Sequence, residues 1–184
     1  MHALIRFAVA ALCLGLTEIG PGVAAELFTL DAVRADVRQD YRGVKHLSTD
    51  ALAKMLDGKE PLLLLDVRER EEFAVSHIPG AIRVDPGMWS WSFMKSFAAQ
   101  ANAKKVIFYC SVGVRSSALA KQVQEALKTR GARDVYNLDG GIFAWHNERR
   151  RLTDRTGETP FVHPFDGHWG KLIKRTDTVR TAPR

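Results

Sequence analysis

The apolar positions along the chain follow two rhythms. Short unbroken runs, Pro61-Leu62-Leu63-Leu64-Leu65-Asp66-Val67-Arg68 and Val106-Ile107-Phe108-Tyr109, are bounded by charged or turn residues. Runs of that length without polar alternation predict strands covered on both faces, as in a parallel sheet between helices. Ala81-Ile82-Arg83-Val84 and Asp134-Val135-Tyr136-Asn137-Leu138 read as further strands, and Val44 to Leu47 as a short edge strand.

Between these runs the period lengthens. Leu119, Val123, Ala126 and Leu127 mark one face of a helix from about Arg115 to Gly131. Leu52, Met55 and Leu56 mark another, with Ser48 as its N-cap and Gly58 as its stop. Glu69 to Val75 predicts a short helix with Phe73 as its inward anchor, followed by a turn at His77-Ile78-Pro79-Gly80. Ile142, Phe143 and Trp145 open a closing helix after Asp139-Gly140-Gly141, and Leu27, Phe28, Leu30, Val33, Val37 and Tyr41 suggest a leading helix over 26–42. Residues 86–103, with Trp89, Trp91, Phe93 and Phe97, read as an amphipathic helix whose rings fill core, in preference to a pocket wall. Strands alternating with helices give an α/β class, a central, mostly parallel sheet with helices on both faces.

Composition changes this picture at the two ends. Residues 1–25 have the layout of a cleavable secretory signal: His2 and Arg6, an apolar region from Phe7 to Leu16, and a small-residue exit at Val23-Ala24-Ala25. That expectation places the protein in the periplasm or outside the cell, with no stable membrane association once the signal is cut. From Leu152 the chain turns polar with scattered aromatics. Phe161 to Gly170 suggests an ordered arm and Lys171 to Arg184 a frayed end, within a C-terminal arm of 152–184.

The formal charge is +6, from 27 Lys+Arg against 21 Asp+Glu in 184 residues. An excess of this size fits solubility and attraction of small anions better than nucleic-acid binding. The run Glu148-Arg149-Arg150-Arg151 reads as a solvated face. His163 and His168 flank Asp166, but no third convincing ligand accompanies them, so no metal and no cofactor is expected.

The chemistry concentrates at one cysteine. Cys13 lies within the signal, which leaves Cys110 alone in the mature chain. It ends an apolar strand and precedes Ser111-Val112-Gly113-Val114-Arg115-Ser116-Ser117, where a helix begins. Unpaired amides and the helix dipole at such an N-terminus favour a thiolate, the nucleophilic form. Arg115 adds a permanent cation with a planar fork of donors suited to an oxyanion. Asp66 ends its own strand in the same manner, on the edge where open α/β sheets place ligands.

Four pieces together resemble a single rhodanese domain over about 43–151. They are Leu64-Leu65-Asp66-Val67-Arg68-Glu69 with Glu72-Phe73, His77-Ile78-Pro79-Gly80-Ala81-Ile82, Tyr109-Cys110-Ser111-Val112-Gly113-Val114-Arg115-Ser116, and Leu138-Asp139-Gly140-Gly141-Ile142 with Trp145. The resemblance implies a sulfurtransferase on a rhodanese-like fold. Cys110 would take a sulfane sulfur from thiosulfate or a persulfide and pass it to cyanide or a thiol. The amides of Ser111, Val112, Gly113, Val114 and Ser116 would cradle the persulfide, and Arg115 would hold the anionic donor. Asp66 and Arg68 are either supports that tie the loop to the next strand or a surface ion pair, and His77 is a turn-stabilising hydrogen bonder.

Two alternatives stand beside it. Related phosphatases and arsenate reductases place five residues between cysteine and arginine; four stand here, a smaller ring suited to one sulfur atom. A persulfide carrier without turnover would need the same cradle. Expected partners are a small sulfur donor and acceptor, with a periplasmic thiol protein as a further candidate.

Overall fold

The computed structural model describes residues 28–184. The signal expected over 1–25 lies outside them. Five parallel strands form the centre: β1 (Lys45–Leu47), β2 (Leu62–Asp66), β3 (Ile82–Arg83), β4 (Lys105–Tyr109) and β5 (Asp134–Leu138), in the order β1-β5-β4-β2-β3. Every pairing in this sheet is parallel, so it is more uniform than expected. Among the described residues six helices surround it: α1 (Leu30–Asp40), α2 (Thr49–Asp57), α3 (Arg70–Val75), α4 (Ser90–Ala101), α5 (Val114–Thr129) and α6 (Gly141–Asn147).

Alternation along the strands sorts two cores. Leu63, Leu65, Val106 and Phe108 meet Phe93 and Phe97 of α4 and Leu119, Val123 and Leu127 of α5. Leu64, Ile107, Tyr109 and Leu138 point the other way, toward Val33 and Val37 of α1, Leu52 of α2 and Phe143 of α6. Burying each such side chain stabilises the fold by roughly 1.5–3 kcal/mol, which explains why the strands are apolar on both faces.

Caps fall where the sequence puts them. Ser48 Oγ accepts from Ala51 N at the start of α2, and Gly58 ends that helix. Three local expectations are corrected. Phe73 is only half-buried, stacked on His77 with ring centroids 3.9 Å apart, and Glu72 and Val75 are the inward residues of α3. Trp89 and Trp91 are 75% and 69% exposed, so of that segment's rings only Phe93 and Phe97 fill core. The third correction concerns the C-terminal end.

Residues 171–184 are not frayed. A hairpin, β6 (Leu152–Asp154) with β7 (Gly157–Thr159), leads into a segment with two 3₁₀ turns at Trp169–Leu172 and Thr176–Thr178. Leu172 and Ile173 are buried in the core beside α6, and Arg184 Nε reaches Asp154 Oδ2 at 2.8 Å. His146 of α6 pins the arm further, with Nε2 3.1 Å from the Pro160 carbonyl and 2.9 Å from Thr178 Oγ1. Among the described residues no helix is long and apolar enough to cross a membrane.

Candidate active site

Parallel register brings the chemistry to one edge of the sheet. Asp66 at the end of β2 pairs with Tyr109 at the end of β4, and Cys110 is the next residue. The chain then turns through Gly113, whose φ of +110° suits a residue without Cβ, and enters α5. Gly113 N donates to Cys110 Sγ at 3.2 Å, a donor placed to hold negative charge on sulfur. Cys110 itself is only 1% exposed.

The loop is clamped from behind by α6. Ile142 N and Phe143 N donate to the carbonyl oxygens of Cys110 and Ser111 at 2.9 and 3.0 Å. Gly141 permits this approach: a Cβ there would sit 2.4 Å from the Cys110 oxygen and 2.6 Å from that of Ser111, at a φ of +57°. The first amides of this helix thus satisfy the loop's main chain rather than facing the sulfur.

Glu72 is the residue whose role sequence reasoning missed. It is 2% exposed and accepts four hydrogen bonds. Arg115 Nη1 meets Oε2 at 2.8 Å and Nη2 meets Oε1 at 3.0 Å, while Ser111 Oγ donates to Oε1 at 2.8 Å and Glu69 N to Oε2 at 2.9 Å. Burial works to raise its pKa. The Arg115 bonds and charge, with Arg68 behind them, prevail and hold it below the ordinary carboxylate range. Burial likewise disfavours the Arg115 cation, yet Glu72 and the neighbouring Cys110 keep it above its usual value. A glutamate three residues after Glu69 is the spacing of a capping box, a signal for the helix but not for its partner.

Arg115 therefore reaches the mouth already paired. Its guanidinium carbon lies 4.7 Å from the centre of the Phe165 ring. The mouth is a cavity of about 170 Å³ lined by Cys110, Ser111, Val112, Val114, Arg115, Phe165 and Trp169. Val112 is buried and Val114 exposed on its rim.

The Ser116 hydroxyl, fully buried, donates to Asn137 Oδ1 at 2.6 Å and ties α5 to β5. Asp66 and Arg68 are no surface pair, since both side chains are 0% exposed. Arg68 Nε and Nη2 meet Asp66 Oδ1 and Oδ2 at 2.8 and 2.7 Å, and Nη2 also donates to the Ser76 carbonyl at 2.6 Å. Beside them Tyr109 Oη accepts from Ile78 N at 3.1 Å. This buried knot fastens β2 and β4 to the turn that ends α3, and so sets where Glu72 stands. His77 bonds through Nδ1 to the Phe73 carbonyl at 3.1 Å, as a turn stabiliser does. No group of three metal-ligating side chains occurs among the described residues.

Residues 48–148, more than half of the chain, match the family model for the rhodanese-like domain. The chain belongs to the rhodanese-like family. The match lies just inside the 43–151 span expected, and leaves out α1 and the whole C-terminal arm. Among similar rhodanese-like proteins, YtwF of Bacillus subtilis (strain 168), provisionally named a sulfurtransferase, is 33% identical over 58% of this chain and 95% of its own. Thiosulfate sulfurtransferase GlpE of Shewanella oneidensis is 32% identical over 55% of this chain and 92% of its own. A solved thiosulfate sulfurtransferase from Pseudomonas aeruginosa aligns with a TM-score of 0.54 at 21% identity, over 68% of this chain and 23% of that one. The last likeness speaks to the fold, an α/β rhodanese fold with a five-stranded parallel sheet.

Proposed function

We propose that this rhodanese-like chain is a sulfurtransferase that carries sulfane sulfur on Cys110. The observation that carries it is the loop itself. One cysteine directly follows β4, an amide is aimed at its sulfur, and four residues lead to an arginine fixed by Glu72. The family match and relatives named sulfurtransferases support the activity class.

With thiosulfate as donor, the Cys110 thiolate attacks the outer sulfur. A Cys110 S–S bond forms, the donor's S–S bond breaks, and sulfite leaves with the electron pair. A thiolate or cyanide then attacks the terminal sulfur, and Cys110 departs as thiolate. The donor's own S–S bond supplies the oxidation level of the transferred sulfur, so no outside oxidant or reductant is needed, and covalent relay splits one transfer into two easier steps. Ser111 and Gly113 hold the sulfur's surroundings, and Arg115 supplies positive charge beside the leaving anion. The secretory layout of residues 1–25 supports an exported location.

Mass spectrometry of reduced protein after thiosulfate tests this. A gain of one sulfur on Cys110, with thiocyanate released by cyanide, is expected; no adduct overturns the assignment. Cys110→Ser removes the adduct with the fold retained. The near-complete burial of Cys110 favours a second role, storage without turnover, which an adduct resistant to every acceptor would reveal.

A further inference from the structure

The family match ends at residue 148, yet two residues beyond it close the site. Phe165 and Trp169 line the same cavity as Cys110, Val112 and Val114. The segment that carries them is firmly built. Asp166 Oδ1 accepts from both His168 N and Trp169 N at 2.8 Å, and Phe165 N donates to His163 Nδ1 at 3.0 Å. Phe165 has a φ of +67°, uncommon for a bulky residue, and its ring lies over Arg115. Phe28, just before α1, packs on the same segment, 4.1 Å from His168 and 5.8 Å from Trp169 between ring centroids. Behind Trp169 and Val114 lies a second cavity of about 220 Å³, lined by Phe28, Val33, Val37 and Tyr41 among others. Val114 and Trp169 line both cavities.

We propose that Phe165 and Trp169 are specificity-determining residues that roof Cys110 and restrict its partners to small molecules. The space over the sulfur, about 170 Å³, holds only about five or six groups the size of water. Thiosulfate, cyanide and short alkyl thiols fit within it whole, whereas a glutathione-sized thiol or a cysteine on a folded protein must keep most of its bulk outside, against the two rings. Size acts beside the charge of Arg115, whose terminal nitrogens are held in place by Glu72 and Ser111. That the excluded and admitted partners are sulfur donors and acceptors rests on the sulfur-transfer assignment above. The roof does not rest on it.

The test uses two neutral reagents with one reactive group, N-methylmaleimide and N-(1-pyrenyl)maleimide, and follows alkylation of Cys110 in the full chain. Rates are divided by those for the same chain unfolded in guanidinium. Folded wild type is expected to disfavour the pyrenyl reagent by at least about tenfold, the factor that corresponds to about 1.4 kcal/mol. Phe165 is 42% exposed, so Phe165→Ala leaves the fold intact and moves the ratio toward one. Trp169→Ala opens the second cavity and does the same, while Phe165→Trp makes the discrimination steeper. A wild-type ratio near one, or a ratio unmoved in folded Phe165→Ala, overturns the roof. Because alkylation needs no sulfur, that failure is separable from a failure of sulfur loading. If loading works, discharge of the persulfide by glutathione should gain more from Phe165→Ala, relative to wild type, than discharge by cyanide does.

Discussion

Glu72 and Arg115, 43 positions apart in the chain, meet in a two-pronged ion pair of 2.8 and 3.0 Å beside Cys110. Neither residue is placed by its own helix alone. The pair exists because α3 and α5 both begin at the carboxyl edge of the sheet, and it closes the cysteine loop from the side opposite α6.

Glu72→Gln leaves Arg115 half-buried without its counter-charge and loses two charge-assisted bonds. The expected cost is about 1–3 kcal/mol, read from urea unfolding. The folded pKa of Glu72 is depressed, so its contribution is present above the ordinary carboxylate value and lost as pH falls through the lower one. The acid limb of a stability-against-pH curve should therefore be shallower in Glu72→Gln. An unchanged limb would show that the pair is not coupled to folding. Arg115→Lys keeps the charge but not the fork, and should impair thiosulfate use more than stability.

Gly141→Ala and Gly80→Ala make a matched comparison. Both glycines have positive φ, +57° and +81°, but a Cβ at Gly80 meets nothing within 4 Å, whereas at Gly141 it strikes the Cys110 and Ser111 carbonyls. Gly80→Ala should cost about 1 kcal/mol of backbone strain. Gly141→Ala should cost at least about 2 kcal/mol and slow Cys110 alkylation or sulfur loading, because the loop must move. Equal costs would contradict the close packing of α6 on the loop.

Asp66→Asn strands the Arg68 guanidinium in a site with no access to water. A loss of about 3–5 kcal/mol is expected in chemical denaturation, larger than for any surface pair of this protein. Replacing both partners with apolar residues should recover part of that loss, since the desolvated charges would then be gone together. A single Asp66→Asn with wild-type stability would mean that Arg68 finds another partner.

The arm should loosen in mild acid. Burial, only partly opposed by the bond to the Pro160 carbonyl, holds the pKa of His146 below the ordinary histidine value. Its Nδ1 is buried without a partner, so a second proton has nowhere to bond. A depressed histidine favours the folded state above its unfolded value, and that advantage is lost as pH falls through the folded one. Protection of the Val162 and Thr178 amides against hydrogen exchange, corrected for the intrinsic pH dependence of exchange, should fall as pH drops below the ordinary histidine value near 6.5. In His146→Gln the same amides should show a flatter response.

The strands and the cysteine loop were legible because their signals are local: unbroken apolar runs, a strand that ends in Cys110, a glycine before a helix. The role of Glu72 was not, since a glutamate on a six-residue helix looks solvated until the fold sets Arg115 against it. The bond from the Ser116 hydroxyl to Asn137 was not legible either, since nothing local in the sequence sets α5 against β5 at that point. Lys171 to Arg184 looked frayed because Leu172, Ile173 and Val179 are sparse among charges. Those few apolar residues, with His146 and Asp154 as anchors, nonetheless hold the segment in place. Trp89 and Trp91 were assigned to core on aromaticity alone, and face outward one turn before the buried Phe93 and Phe97.

The roof over Cys110 has a consequence for the order in which the chain is made. Synthesis runs from the N-terminus, so the strand, loop and helix around the sulfur can assemble while Phe165 and Trp169 are still unmade. For that interval the thiol stands open to any oxidant or large electrophile nearby. Its protection arrives last, with the arm.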